Sequence, residues 1–211
     1  MSNSRTITNI FESSEFVVSE LTKIQTLYEL KRVIRYNHKR EHEQHTESVA
    51  EHIFGMHCLV EYFLPLEDPT GAGDKAKIHA MVQYHDIDEI ITGDTIGYLK
   101  DPAAEASERV AAEMVIQKLP TTVQSTIRAL LDEYEKRETF EAKFVKAIDK
   151  TEPIFHTYNE AGKQILNSNR TTRDQHERIK HPYIQDFPII KRFVDVMTTQ
   201  FEHEGFFHPG P

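Results

Sequence analysis

The stretch KAKIHAMVQYHDIDEIITGD, residues 75–94, carries both a fold signal and a chemical one. Ile78, Met81, Val82 and His85 recur at i, i+3, i+4 and i+7, the spacing of one helical face, and Gly93 closes the run. The spacing predicts a helix over Lys75–Ile91, with Asp94–Pro102 as a connector. On such a helix His85 and Glu89 lie at i, i+4 and Asp86 and Glu89 at i, i+3, so imidazole and carboxylates share one side. A borderline nitrogen donor beside a hard oxygen donor suits Mn²⁺, Fe²⁺, Co²⁺, Ni²⁺ or Zn²⁺. Taken alone, the His85-Asp86 pair also fits a solvated helix end.

Helical spacing extends outward in both directions. Leu21, Ile24, Leu27, Tyr28 and Ile34 mark one face of a helix from Ser14 to Tyr36. Ser48-Val49-Ala50-Glu51 reads as a capping box that opens a helix ending at Leu64, where Pro65 stops it. Ala103–Leu119 is Ala/Glu-rich and helical. Thr121 and Gln124 carry a second capping-box pattern, and Val123, Ile127, Leu130, Leu131 and Tyr134 form a stripe beyond them. Phe140, Phe144, Val145 and Ile148 continue the core pattern, with Pro153 bending or restarting a helix that runs to Leu166. Asn167–Arg178 reads as a polar loop, and Ile184–Phe201 as a last helix burying Phe187, Ile190, Phe193, Val194 and Met197. The expectation is one all-α domain of about seven helices over residues 1–211. Its core covers about 14–201, and residues 1–13 and 202–211 are irregular tails.

Composition excludes several classes. The 211 residues carry 25 Lys+Arg against 34 Asp+Glu, a formal charge of −9, which opposes nonspecific nucleic-acid binding. Cys58 is the one cysteine, so no internal disulfide forms and a reducing compartment, the cytosol, is expected. The first nine residues have no apolar run of a secretory signal. The most apolar stretch, Met56–Leu66, contains Glu61 and falls short of the ~20 residues of a membrane span. Twelve histidines stand out, and their placement decides their meaning.

Two residues add to His85 and Asp86. His52 falls in the first turn after Ser48, and Asp149 follows the stripe Phe144, Val145, Ile148, at the edge of a buried face. A buried carboxylate needs a partner or a metal. The order His…His-Asp…Asp, at His52, His85, Asp86 and Asp149, resembles the HD-domain phosphohydrolase superfamily. The contexts Glu47-Ser48-Val49-Ala50-Glu51-His52, Tyr84-His85-Asp86 through Thr92-Gly93-Asp94, and Phe144-Val145-Lys146-Ala147-Ile148-Asp149-Lys150 resemble its branch of 5′-deoxynucleotidases. Leu131-Asp132-Glu133-Tyr134-Glu135 and His181-Pro182 resemble the eukaryotic-type members, and the likeness covers roughly residues 20–200.

The resemblance implies one divalent metal held by His52, His85, Asp86 and Asp149. No histidine lies between Asp86 and Asp149, where dinuclear relatives need extra ligands. It implies a general acid/base role for Glu89, which one turn from His85 is also placed to handle a proton. Asp94 accepts from a sugar hydroxyl or serves as a turn residue. Arg35 and Tyr36 stand about where the family carries an Arg-Trp pair for phosphate and sugar, with Arg32 the competing arginine. The resemblance implies hydrolysis of (deoxy)nucleoside 5′-monophosphates by a homodimeric enzyme. The alternatives are another nucleotide (a phosphodiester, pyrophosphate or triphosphate) or a non-catalytic metal-binding module. His38, His42 and His45 read as a solvated connector, His57 and His79 as core or supporting groups, and His156, His176, His181, His203 and His208 show no partner pattern.

Overall fold

A computed structural model of the chain describes residues 3–28, 47–93 and 102–209, and all the elements found there are helical. Eleven helices lie among the described residues: α1 Asn3–Glu12, α2 Ser14–Tyr28, α3 Val49–Glu67, α4 Lys75–Tyr84, α5 Glu89–Thr92, α6 Pro102–Ile116, α7 Thr121–Lys136, α8 Phe140–Thr157, α9 Glu160–Ser168, α10 Arg173–Ile184 and α11 Pro188–His203. The all-α class agrees with the helical spacing; the larger number comes from breaks and starts that periodicity hid. Among the described residues no helix is long and apolar enough to cross a membrane.

The chain divides into two compact units, residues 1–72 with 147–211, and residues 73–146. In the first, Met56, Leu59, Val60 and Phe63 of α3 are fully buried at helical spacing. The Phe63 ring meets Phe193 of α11 edge-on at 5.0 Å, and Phe155 of α8 stacks on Phe193 at 6.2 Å. The expected irregular tail at residues 1–13 is corrected: α1 is a helix whose Ile10 is fully buried. Arg192 of α11 ties this end down, donating to the Ile10 carbonyl and to Ser14 Oγ. Residues 204–209 are irregular, yet Phe206 is buried against Phe201 at 4.5 Å.

In the second unit Ile78, Met81 and Val82 of α4, Ile127 and Leu130 of α7 and Phe144 of α8 are buried. Lys77 pins α4 through Glu133 at 2.8 Å and Glu141 at 3.5 Å.

Several expected boundaries move for identifiable reasons. Pro65 does not stop α3, which runs to Glu67. An interior proline costs ~3 kcal/mol, which the burial of its two neighbours offsets. Burying Leu64 and Leu66 there contributes about 1.5–3 kcal/mol each. The Thr121 capping box does not form; Pro120 is the N-cap of α7, and the Gln124 amide donates instead to the Leu119 carbonyl. The helix through Pro153 breaks at Asn159, whose side chain accepts the Gly162 N–H and opens α9. Gly162 is required by close approach, since a Cβ there would lie 2.1 Å from the Thr157 carbonyl oxygen. The expected loop 167–178 contains the start of α10, set by a capping box between Thr172 and Gln175. The pattern was present, but the buried stripe behind it is His176, Lys180 and Ile184, two of them ionisable.

Candidate metal centre

The first unit presents His52 and Asp149 together. Ser48 Oγ accepts the Glu51 N–H at 3.3 Å and the Glu51 carboxylate accepts the Ser48 N–H at 2.8 Å, so the capping box fixes the first turn of α3. That turn holds His52 against α8, where Asp149 and Glu152 lie at i, i+3. His52 Nδ1 is 2.9 Å from the Glu152 carboxylate, and Nε2 is 3.6 Å from Asp149 Oδ1. In the neutral ring, with Nδ1–H donating to Glu152, the lone pair is on Nε2, the nitrogen nearer Asp149. The 3.6 Å separation is too long for a hydrogen bond and short enough for one cation to hold both groups. Glu152 is fully buried and Asp149 nearly so. Burial works against a charged His52 ring, but the hydrogen bond to Glu152 and the negative charges of Glu152 and Asp149 outweigh it and raise its pKa well above the ordinary value, so a cation at Nε2 takes the place of a proton. Lys150 Nζ lies 3.1 Å from the second Asp149 oxygen.

This cluster contains residues that spacing did not reveal. Glu152 is the main one; its signal was the i, i+3 relation to Asp149. Glu47 Oε1 is 3.8 Å from His52 Nδ1, and its other oxygen is 3.3 Å from His156 Nδ1. His156, read from the sequence as lacking a partner pattern, therefore pairs with Glu47.

The second unit presents His85 and Asp86. Here the expected continuous helix is corrected, because α4 ends at Tyr84 and α5 starts at Glu89. The His85 ring donates from Nδ1 to the Val82 carbonyl at 2.9 Å. That is the carbonyl the Asp86 N–H would use in a continuing α-helix. The chain tightens instead into three-residue steps: the Ile87 N–H donates to the Tyr84 carbonyl and the Glu89 N–H to the Asp86 carbonyl, each at 3.1 Å. Three-residue steps align Asp86 with Glu89 rather than His85 with Glu89. His85 is buried, its ring edge-on to Tyr134 at 5.5 Å.

Because Nδ1 donates to a carbonyl, the neutral His85 ring carries its lone pair on Nε2, the ligating tautomer. Nε2 stands 2.9 Å from Asp86 Oδ2. A lone pair and a carboxylate oxygen that close share either a proton or a cation. Glu89 is half-buried at the head of α5, and Gly93, at φ 69°, closes that helix with its N–H on the Glu89 carbonyl. Arg32, Arg35, Tyr36, His38, His42, His45 and Asp94 lie outside the described residues. Cys58 is half-buried.

The HD-domain family model matches residues 27–191. The chain is 32% identical to the 5′-deoxynucleotidase HDDC2 of Xenopus laevis over 161 residues, 74% of this chain and 77% of that protein. The chain belongs to the HD-domain phosphohydrolases, in their 5′-deoxynucleotidase branch. This is a family of hydrolase enzymes. The human 5′-deoxynucleotidase HDDC2 is 31% identical over 138 residues, 64% of this chain and 65% of its own length. The 5′-deoxynucleotidase plu3092 of Photorhabdus laumondii is 25% identical over 176 residues, 75% of this chain and 88% of that one. A solved structure of a predicted metal-dependent phosphohydrolase from Magnetospirillum magnetotacticum MS-1 superimposes with a TM-score of 0.67 at 25% identity, covering 92% of this chain and 95% of that one. The imidazole and carboxylate donors of this HD-domain chain fit a divalent metal, each imidazole already turned by a hydrogen bond at Nδ1.

Proposed function

We propose that the chain is a metal-dependent phosphomonoesterase that converts (deoxy)nucleoside 5′-monophosphates to nucleoside and phosphate. In this reading His52, His85, Asp86 and Asp149 hold one divalent cation, Mn²⁺ or Co²⁺ being the first to test. The observation that carries the reading is the pairing of ligating histidine tautomers with carboxylates, His52 beside Asp149 and His85 beside Asp86, in a chain related to 5′-deoxynucleotidases. A bound cation supplies positive charge for a phosphate oxygen and acidity for a water.

The chain's own groups do the rest. Glu152 and the Val82 carbonyl hold the two imidazoles in the ligating tautomer. Glu89 takes a proton from the attacking water as its oxygen bonds to phosphorus. It returns a proton to the sugar 5′ oxygen as the phosphorus–oxygen ester bond breaks. Arg35, with Arg32 as the rival, binds phosphate through its planar fork, while Tyr36 and Asp94 meet the sugar. A cytoplasmic homodimer completes the proposal.

The test is orthophosphate release from a panel of ribo- and deoxyribonucleoside monophosphates by protein loaded with Mn²⁺ or Co²⁺. Glu89→Ala is expected to lose about 10²–10⁴-fold in rate while metal content stays at the wild-type level. No release from any monophosphate, beside a working control enzyme, sinks the reading. Pyrophosphate or tripolyphosphate as the product from other nucleotides would move the substrate class, and an unaffected Glu89→Ala would remove the proton-transfer role.

A further inference from the structure

Lys180 of α10 is a lysine buried to 3% exposure, an uncommon place for an amine. Its Nζ donates to the backbone carbonyl of Lys150 in α8 at 2.8 Å. That carbonyl belongs to the residue after Asp149 and lies in the turn that also carries Glu152. The same turn is weakened from within, because Pro153 has no N–H to offer the carbonyl of Asp149, four residues back. An apolar side chain of similar length would cost less to bury, so the contribution of Lys180 is the bond it makes.

We infer that Lys180 is a positioning residue for the metal centre, its buried amino group fixing the turn of α8 from which Asp149 and Glu152 project. The inference rests on the proposed role of Asp149 as a metal ligand. Burial, aided by the Lys150 charge, pushes the Lys180 amine down to about 7 against the opposing pull of Asp149 and Glu152. Lys180 acts through the backbone that aims Asp149 and through Glu152, which orients His52.

The experiment compares Mn²⁺ affinity by calorimetry for the wild type, Lys180→Met and Lys180→Gln, with thermal melts of each metal-free protein. Lys180→Met removes the donor but keeps the bulk. It is expected to melt at or above the wild type while binding Mn²⁺ about tenfold or more weakly, the size of effect that supporting residues have on metal sites. Lys180→Gln keeps an N–H and is expected to lose less. The Mn²⁺ concentration giving half-maximal phosphate release should shift by the same factors.

Wild-type affinity in Lys180→Met overturns the inference and leaves the proposed function standing. Equal losses in the two variants also overturn it, since the N–H would then not matter, and loss of the fold in both would make Lys180 a residue of the core at large. A wild type that binds Mn²⁺ but hydrolyses no monophosphate sinks the proposed function and leaves the affinity comparison readable. A wild type that binds no divalent metal sinks both.

Discussion

Glu152 shows how much a single side chain can decide at this site. It is fully buried, and its carboxylate meets His52 Nδ1 at 2.9 Å. Carboxylates in that position fix the tautomer and orientation of a ligating histidine and raise its basicity. Glu152→Gln keeps the shape and one acceptor but removes the charge, and is expected to weaken Mn²⁺ binding about 10–100-fold, read by metal titration. Unchanged affinity would show that His52 needs no such partner. Asp149 was legible in the sequence as a carboxylate following an apolar stripe. Glu152 was not singled out, because its partner is 100 residues away and no local pattern records that pairing.

Two helix ends lend themselves to measurement at the scale of the element. Ser48 caps α3 four residues before His52, and Ser48→Ala is expected to cost about 1 kcal/mol in urea denaturation. A cost near zero would mean that Glu51 alone holds that turn. The N-terminus of α11 is different, since its N-cap Phe187 offers no side-chain acceptor. Glu67, at the end of α3, supplies one instead, accepting the N–H groups of Ile189 and Ile190 at 2.9 and 2.8 Å. Burial raises the Glu67 carboxyl from 4.5 to about 7, even though these two bonds favour its charged form. Between those values the folded protein holds a proton that the unfolded chain has released. Stability from this group therefore falls as pH rises through the window from about 4.5 to about 7. Glu67→Gln should flatten that part of the melting temperature against pH curve; a wild-type slope in the variant would place the dependence elsewhere. Capping boxes are written in the sequence at Ser48 and at Thr172, the second ahead of a buried stripe that is partly ionisable. The cap that Glu67 provides joins helices more than a hundred residues apart, which no local pattern encodes.

At the scale of the whole molecule, a cation held by the folded chain and not by the unfolded one must stabilise it. At a free concentration 100 times the dissociation constant the gain is about 2.7 kcal/mol. Stripping with a chelator is expected to lower the melting temperature and stop phosphate release together, and Mn²⁺ or Co²⁺ should restore both. Melting curves indifferent to metal would argue against a specific folded-state site. The all-α class and most of the apolar stripes follow from local pattern, because a 3.6-residue period is local and each helix writes its own. The sequence by itself also marked His52, His85, Asp86 and Asp149 as a set through their order and contexts. Tertiary structure decided the break at His85, where a ring takes the Val82 carbonyl from the helical ladder. It also decided the pairings of His52 with Glu152, Glu47 with His156 and Lys180 with Lys150, the ordering of α1, and the extension of α3 through Pro65. Each of these depends on which distant group arrives to accept a bond or to bury a side chain, and that is settled only when the chain has folded.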